Sequence, residues 1–172
     1  MIIRHATQAD LEGIAAVQAE SWKDAYKDIL PTQFLTEAID RKLARHWRET
    51  DIKSDDLILL AEEDAIAGFI AVWCRPIPFI DNLHVRPSCR SQKTGSALLT
   101  AAASELIPKG HKTAFLWVFE SNTKAIRFYE RFGGVRKGLA MKTVFGYEIP
   151  SRKIQWDDLT VICDILKGNH AY

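Results

Sequence analysis

Val85 to Leu99, VRPSCRSQKTGSALL, runs from the end of an apolar stretch into an apolar helical pattern through small, hydroxylic and basic residues. A helix starting there offers unpaired backbone N–H groups and a positive dipole end, which suit a pyrophosphate. Arg90 and Lys93 add charge beside it. The nucleotide-binding loop Gly-x-x-x-x-Gly-Lys-Ser/Thr fits poorly, because Gln92 and Pro87 stand at its two glycines and the tight wrap around a triphosphate needs glycine's freedom. On these residues alone, Arg90 and Lys93 read equally well as solvated loop charges, and Gly95 as a close helix-to-sheet contact. The other groups with chemistry to offer are the carboxylates Asp81 and Glu120, the imidazole of His84, and Tyr129. Asp81 shares strand parity with Leu83 and Val85, whereas His84 falls on the opposite face and reads as a packing residue. Tyr129 lies on a helix face with Phe128 and Phe132, where aromatic rings mostly pack.

The elements that must position these groups follow from periodicity. MIIRHA reads as a first strand, and Thr7 with Asp10 three residues on signals a helix start before Leu11, Ile14, Ala15, Gln18 and Trp22. SWKDAYKDILP is expected to be a loop carrying Trp22 and Tyr26. A second helix in LPTQFLTEAIDRKLARHWRET has Thr32 as its expected N-cap and Leu35, Ala38, Ile39, Leu43 and Trp47 along one stripe. LILLA and AIAGFIAVW around EEDA form a hairpin, FIDNLHV a further strand, and Leu98 to Ile107 a helix ended by Pro108 and Gly110. TAFLWVF reads as a buried strand. Ser121, or equally Asn122, is expected to cap a last helix with Ala125, Phe128, Tyr129 and Phe132 on one face, stopped by Gly133 and Gly134. VFGYEI and RKIQW read as closing strands. The order is an α/β sandwich with a central mixed sheet and flanking helices, in which FIDNLHV and TAFLWVF are parallel across a helical crossover and a ligand belongs at their carboxyl ends.

With 172 residues, the chain reads as a single domain, 1–172. Its 23 basic and 22 acidic side chains give a formal charge of +1, so no broad attraction to nucleic acid or anionic membrane is expected. Cys74, Cys89 and Cys163 have no disulfide or zinc-like spacing, and the N-terminus lacks the pattern of a signal peptide. A soluble, reduced, cytoplasmic protein is expected.

Val-x-Pro-x-x-Arg, a short polar loop, Gly95 and the Leu98–Leu99 pair together resemble the acetyl-CoA pyrophosphate loop of the GNAT superfamily of N-acetyltransferases, whose signature is Gln/Arg-x-x-Gly-x-Gly/Ala. Two registers are open. Gln92 to Ala97 fits the letters; Arg90 to Gly95, the favoured register, fits the distances to Val85, Pro87 and the leucines, and puts Lys93 where the family has its first glycine. WVFESNTKAIRFYERFGG is similar to the family's Asn-x-x-Ala-x-x-Phe-Tyr-x-x-x-Gly segment at Asn122, Ala125, Phe128, Tyr129 and Gly133, with Gly134 in place of the family's phenylalanine. IRHATQADLEGIAAVQAESW and AYKDILP resemble the opening helices of many members, so the resemblance spans nearly the whole chain.

The resemblance implies a GNAT-like fold with a mostly antiparallel mixed sheet, and acetyl transfer from acetyl-CoA to a primary amine of a small molecule or peptide by direct transfer, with no metal. It assigns cofactor contact to Leu83, His84, Val85, Arg90, Ser91, Gln92, Lys93, Thr94, Gly95, Ser96, Asn122, Ala125 and Phe128. The strand holding Leu83 and Val85 is expected to splay from its parallel neighbour so that its backbone pairs with pantetheine. Tyr129 becomes the acid for the departing thiolate, since a phenol near ~10 and a thiol near ~8.5 allow proton transfer. Asp81 and Glu120 are the candidate bases, with a water chain as the alternative. Trp22 and Tyr26 would wall the acceptor site. Cys89 lies in the phosphate loop, so no acetyl-cysteine is expected. The rival readings are a non-catalytic acyl-CoA-binding module and a nucleotide-binding protein, and exposed closing strands leave room for a homodimer.

Overall fold

In the computed structural model, which describes residues 1–168, seven strands follow the order β1-β2-β3-β4-β5-β7-β6 with helices flanking them. The strands are β1 (Ile2–His5), β2 (Leu57–Glu62), β3 (Ile66–Cys74), β4 (Pro78–Val85), β5 (Ala114–Phe119), β6 (Val135–Val144) and β7 (Tyr147–Trp156). The helices are α1 (Leu11–Ala25), α2 (Ile39–Glu49), α3 (Thr94–Leu106), α4 (Thr123–Arg131) and α5 (Thr160–Gly168). No described helix is long and apolar enough to cross a membrane. The chain divides into two units, the first made of Met1–Val72 with Asn82–Ala101, the second of Trp73–Asp81 with the chain from Ala102 on.

In the first unit, β1 and β2 pair antiparallel from Ile2↔Glu62 to His5↔Leu59, and β2 and β3 pair antiparallel from Leu57↔Val72 to a bulge at Ala61/Glu62. Helix α1 starts as its sequence demands: the Thr7 amide and hydroxyl both donate to Asp10 Oδ2, at 2.7 and 2.9 Å. Arg4 then clamps both Asp10 oxygens and donates through Nε to Glu62 at 2.6 Å, which holds the helix start against β2 and depresses both carboxyl pKa values. The expected loop at Trp22 is absent, because α1 continues to Ala25 and Trp22 is one of its buried residues; only Tyr26 follows the helix. Helical backbone begins at Thr32, so Thr32 is not a cap but lies in the first turn behind Pro31. A π-helical turn at Phe34–Ala38 precedes α2 and lets Phe34, Leu35 and Ile39 all face inward. Between the two helices and β4 runs a buried polar chain: Trp47 Nε1 donates to Gln18 Oε1 at 2.7 Å, and Gln18 Nε2 donates to Asn82 Oδ1 at 2.9 Å.

In the second unit, β4 and β5 are parallel, with Phe79 beside Phe115, and β5 pairs antiparallel with β7 from Ala114↔Trp156 to Phe119↔Ser151. The stretch VFGYEI is not a strand of its own. It contains the tight turn of a β6–β7 hairpin, where Phe145 and Gly146 take φ of 48° and 88°. Asn122, not Ser121, caps α4, its Oδ1 accepting from the Ala125 amide at 3.3 Å. Ile126, rather than Ala125, is buried with Tyr129 on this helix. Helix α4 is not the last: α5 follows β7, started by Asp158, which accepts from the Thr160 amide and hydroxyl.

Candidate active site

Arg86 leaves β4 into a 3-10 turn, Pro87–Cys89, and the chain reaches α3 through Ser91 at φ 67° and Lys93 at φ 62°. Neither is glycine, and both adopt the left-handed backbone that glycine takes freely. Lys93 carries the carbonyl that accepts the first helical bond, from Ala97 at 2.9 Å. By the geometry of a helix start, the amides of Thr94, Gly95 and Ser96 have no acceptor within the helix. The Thr94 side chain is buried and donates to the Cys89 carbonyl at 3.4 Å, which fixes the loop's width. Lys93 is exposed beside those amides. Arg90 is turned elsewhere: its guanidinium pairs with Asp24 and reaches Ser21 Oγ at 3.4 Å, both on α1.

The end of β4 has a defined polarity. The His84 carbonyl passes 2.7 Å from where a Gly68 side chain would begin on β3, and the Arg86 amide donates to the Ala67 carbonyl at 2.8 Å. Because peptide units are planar and trans, the N–H and C=O of Val85 between them point away from β3. Gly68 is required here, since any side chain would strike that carbonyl. The His84 ring sits against α1 as its parity demanded, tilted over Phe69 at 5.7 Å. Trp22 Nε1 can only donate, so His84 Nε2 accepts from it at 3.3 Å and Nδ1–H donates to Ser21 Oγ at 3.2 Å. Burial, helped by Arg90, pushes the His84 pKa down to about 3, so the imidazole is neutral and both nitrogens are engaged. Its side chain is a strut between β4 and α1, and its carbonyl faces β3. Tyr26 packs edge-on to Trp22 at 5.1 Å, and burial raises its phenol to about 12.

In the second unit, Tyr129 is buried, with Phe128 edge-on at 5.3 Å and Trp156 edge-on at 6.0 Å. Trp156 Nε1 donates to the Phe132 carbonyl at 2.9 Å, tying β7 to the end of α4. A side chain at Gly134 would meet Ile154 at 2.6 Å and Trp156 at 2.9 Å, so Trp156 fills the space beside that glycine. Of the two carboxylates, Glu120 is held by both nitrogens of an Arg152 fork, at 2.9 and 2.8 Å, which lowers its pKa. Asp81 is exposed and accepts from Trp73 Nε1 at 2.9 Å. Ser21 and Asp24, which hold His84 and Arg90, carried no signal of their own. Their spacing with Trp22 has meaning only once α1 is known to run to Ala25.

Residues 19–134 match the family model for the acetyltransferase (GNAT) family. The chain belongs to that family. This acetyltransferase is 24% identical to an uncharacterized N-acetyltransferase, YuaI, of Bacillus subtilis strain 168, over 95% of its own length and 97% of that protein's. Its fold is similar to a GCN5-related N-acetyltransferase structure from Rhodopseudomonas palustris, with a TM-score of 0.71 and 19% identity over 90% of this chain and 93% of that one. It is also similar to the PaiA N-acetyltransferase of Thermoplasma acidophilum, solved in complex with coenzyme A, with a TM-score of 0.67 and 24% identity over 90% and 98% of the two chains. The residues of the acetyltransferase fit such a cosubstrate on their own terms: a helix start with free amides, a cation beside it, and a strand end whose Val85 backbone groups are turned away from β3.

Proposed function

We propose that the whole chain, 1–172, is one acetyltransferase domain that moves the acetyl group of acetyl-CoA directly to a primary amine of a small molecule or peptide. The observation that carries this reading is the left-handed backbone of Lys93 at the start of α3. It is what the family's first glycine would adopt, so it favours the Arg90–Gly95 register. Acetyl-CoA, when bound, supplies an activated acyl thioester. The amides at the start of α3 and the Lys93 ammonium take the pyrophosphate, while Arg90 steadies the loop through Asp24 and Ser21. Val85, with Leu83, offers backbone groups to the pantetheine arm and the thioester carbonyl. Asn122 both caps α4 and borders the arm, and Tyr129 gives a proton to the departing sulfur. Glu120, whose oxygens are occupied by Arg152 and whose pKa is lowered by it, is a poor base, which leaves the amine proton to Asp81 or to a water chain ending in solvent. Tyr26 walls the acceptor side, with Trp22 packed edge-on behind it.

The test is calorimetric titration with acetyl-CoA, with ATP as control, followed by turnover on a panel of amines. Binding of acetyl-CoA alone with turnover supports the reading, and binding without turnover favours the non-catalytic module. Tyr129→Phe should lower kcat by ~100-fold or more, as expected for loss of a general acid, with acetyl-CoA affinity unchanged. Unchanged kcat removes Tyr129 from its role.

A further inference from the structure

In the second unit, α4 packs on the face of the sheet that carries Ile154 and Trp156. The opposite face carries a row of rings. Phe79 and Phe115 stack at 5.1 Å and 14°, and Trp117 follows Phe115 two residues along β5, on the same side. Two lysines lie on this row: Lys142 Nζ is 4.0 Å from the centre of the Trp117 ring, and Lys153 Nζ is 4.7 Å from that of Phe115. Lys142 comes from β6 and Lys153 from β7, directly across from Trp117. All five side chains are half-buried. Among the described residues, neither ammonium has a carboxylate within ion-pairing distance.

That combination is unusual for lysine, which ordinarily keeps its head in water. A ring face takes one side of an ammonium, and the other side is left for an anion. Partial burial strengthens the pull of such a cation on an anion. Two cations on adjacent rings also repel a cationic ligand. Asp81, the candidate base, follows Phe79 two residues along β4 and so lies on this same face; we propose that this face reads a carboxylate on the acceptor, so that the amine substrate is an amino acid or acidic peptide and not a polyamine. The rings take the acceptor's apolar stem, and Lys142 and Lys153 take its carboxylates. This rests on the reading of the chain as an amine acetyltransferase.

The probes are the tripeptide Ala-Glu-Glu and the carboxylate-free Ala-Gln-Gln-amide, titrated calorimetrically into the full chain at low salt. The acidic peptide should bind at least tenfold tighter than the amide. Lys142→Gln with Lys153→Gln should abolish that preference, and the paired Lys→Arg changes should keep it. Equal binding of the two peptides, no binding of the acidic one, a preference that survives the glutamine changes, or tighter binding of inorganic phosphate would each overturn the proposal. Acetyl-CoA titrated into the same proteins separates the two failures. A chain that binds acetyl-CoA but not Ala-Glu-Glu refutes only this surface, whereas one that binds the peptide but not acetyl-CoA refutes the function proposed above.

Discussion

Lys93 stands at φ 62° where an L side chain is crowded against its own carbonyl, and the same residue brings an exposed positive charge into the turn that precedes α3. Two substitutions separate those properties. Lys93→Ala removes the charge and keeps the crowding; Lys93→Gly removes both. A non-glycine residue held in the left-handed region costs about 1–2 kcal/mol, and the greater freedom of glycine in the unfolded chain takes back roughly 0.4–1 kcal/mol. The glycine variant should therefore be more stable than the alanine variant by ~0.5–1 kcal/mol. At roughly 2–4 °C per kcal/mol for a chain of this size, that is a Tm difference of about 1–4 °C. An exposed ammonium facing a phosphate is worth ~0.2–1 kcal/mol, so both variants should bind acetyl-CoA about 1.5–5-fold more weakly than the parent, and equally. Thermal melts and calorimetry on the three proteins read both numbers. An alanine variant that melts at or above the glycine variant would show that the loop does not hold the left-handed backbone, and the register argued from it would fall.

Two further outcomes follow from the packing. Gly134→Ala places a methyl group 2.6 Å from Ile154 Cγ2, 2.9 Å from Trp156 Cζ2 and 3.0 Å from the Tyr129 carbonyl, and overpacking of that kind costs about 1–3 kcal/mol; an unchanged urea midpoint would refute the tight contact. His84 has a folded pKa of about 3, below its unfolded value, so its contribution is fully present above about pH 6.5 and declines as the unfolded chain takes up a proton. Stability should fall by up to ~1.4 kcal/mol per pH unit below about 6.5 through this group, and His84→Gln should flatten that slope between pH 6 and 5; a slope that survives the change would place the neutral histidine elsewhere.

The sheet and its flanking helices were legible because strand runs such as LILLA, FIDNLHV and TAFLWVF are short, apolar and bounded by turn residues. The parallel placement of β4 and β5 follows from the strand–helix–strand composition of the segment that joins them. Trp22 reads locally as a loop residue because SWKDAYKD is polar at most positions, and nothing local says that the far end of a helix is held by His84 and Arg90 from distant segments. The choice between Ser121 and Asn122 as cap is likewise a matter of which oxygen reaches the third amide, a distance that residue type does not give. VFGYEI was misread because its apolar letters hide a turn that depends on positive φ at Phe145 and Gly146. In the candidate site, the Arg90–Gly95 loop and Tyr129 stand out through the family motifs they resemble. The engagement of Glu120 by Arg152 and the cations above Phe115 and Trp117 depend on strand register, which pairs residues far apart in the chain.

The interleaving of the two units has a consequence for how the chain is made. The first unit holds α1, α2 and the β1–β3 strands by Val72, yet it is complete only when Asn82–Ala101 has been synthesised. Until then the Gln18 side-chain amide and one face of Phe69 wait for Asn82 and His84. At about 5–20 residues per second that wait lasts on the order of a few seconds. A nascent chain of this length therefore emerges with an unfinished sheet edge and an unpaired buried amide, and ribosome-bound chaperones that cover apolar strands should find their substrate in the stretch ending at Val72. Cotranslational folding is then gated by the arrival of β4, rather than by the order in which the helices emerge.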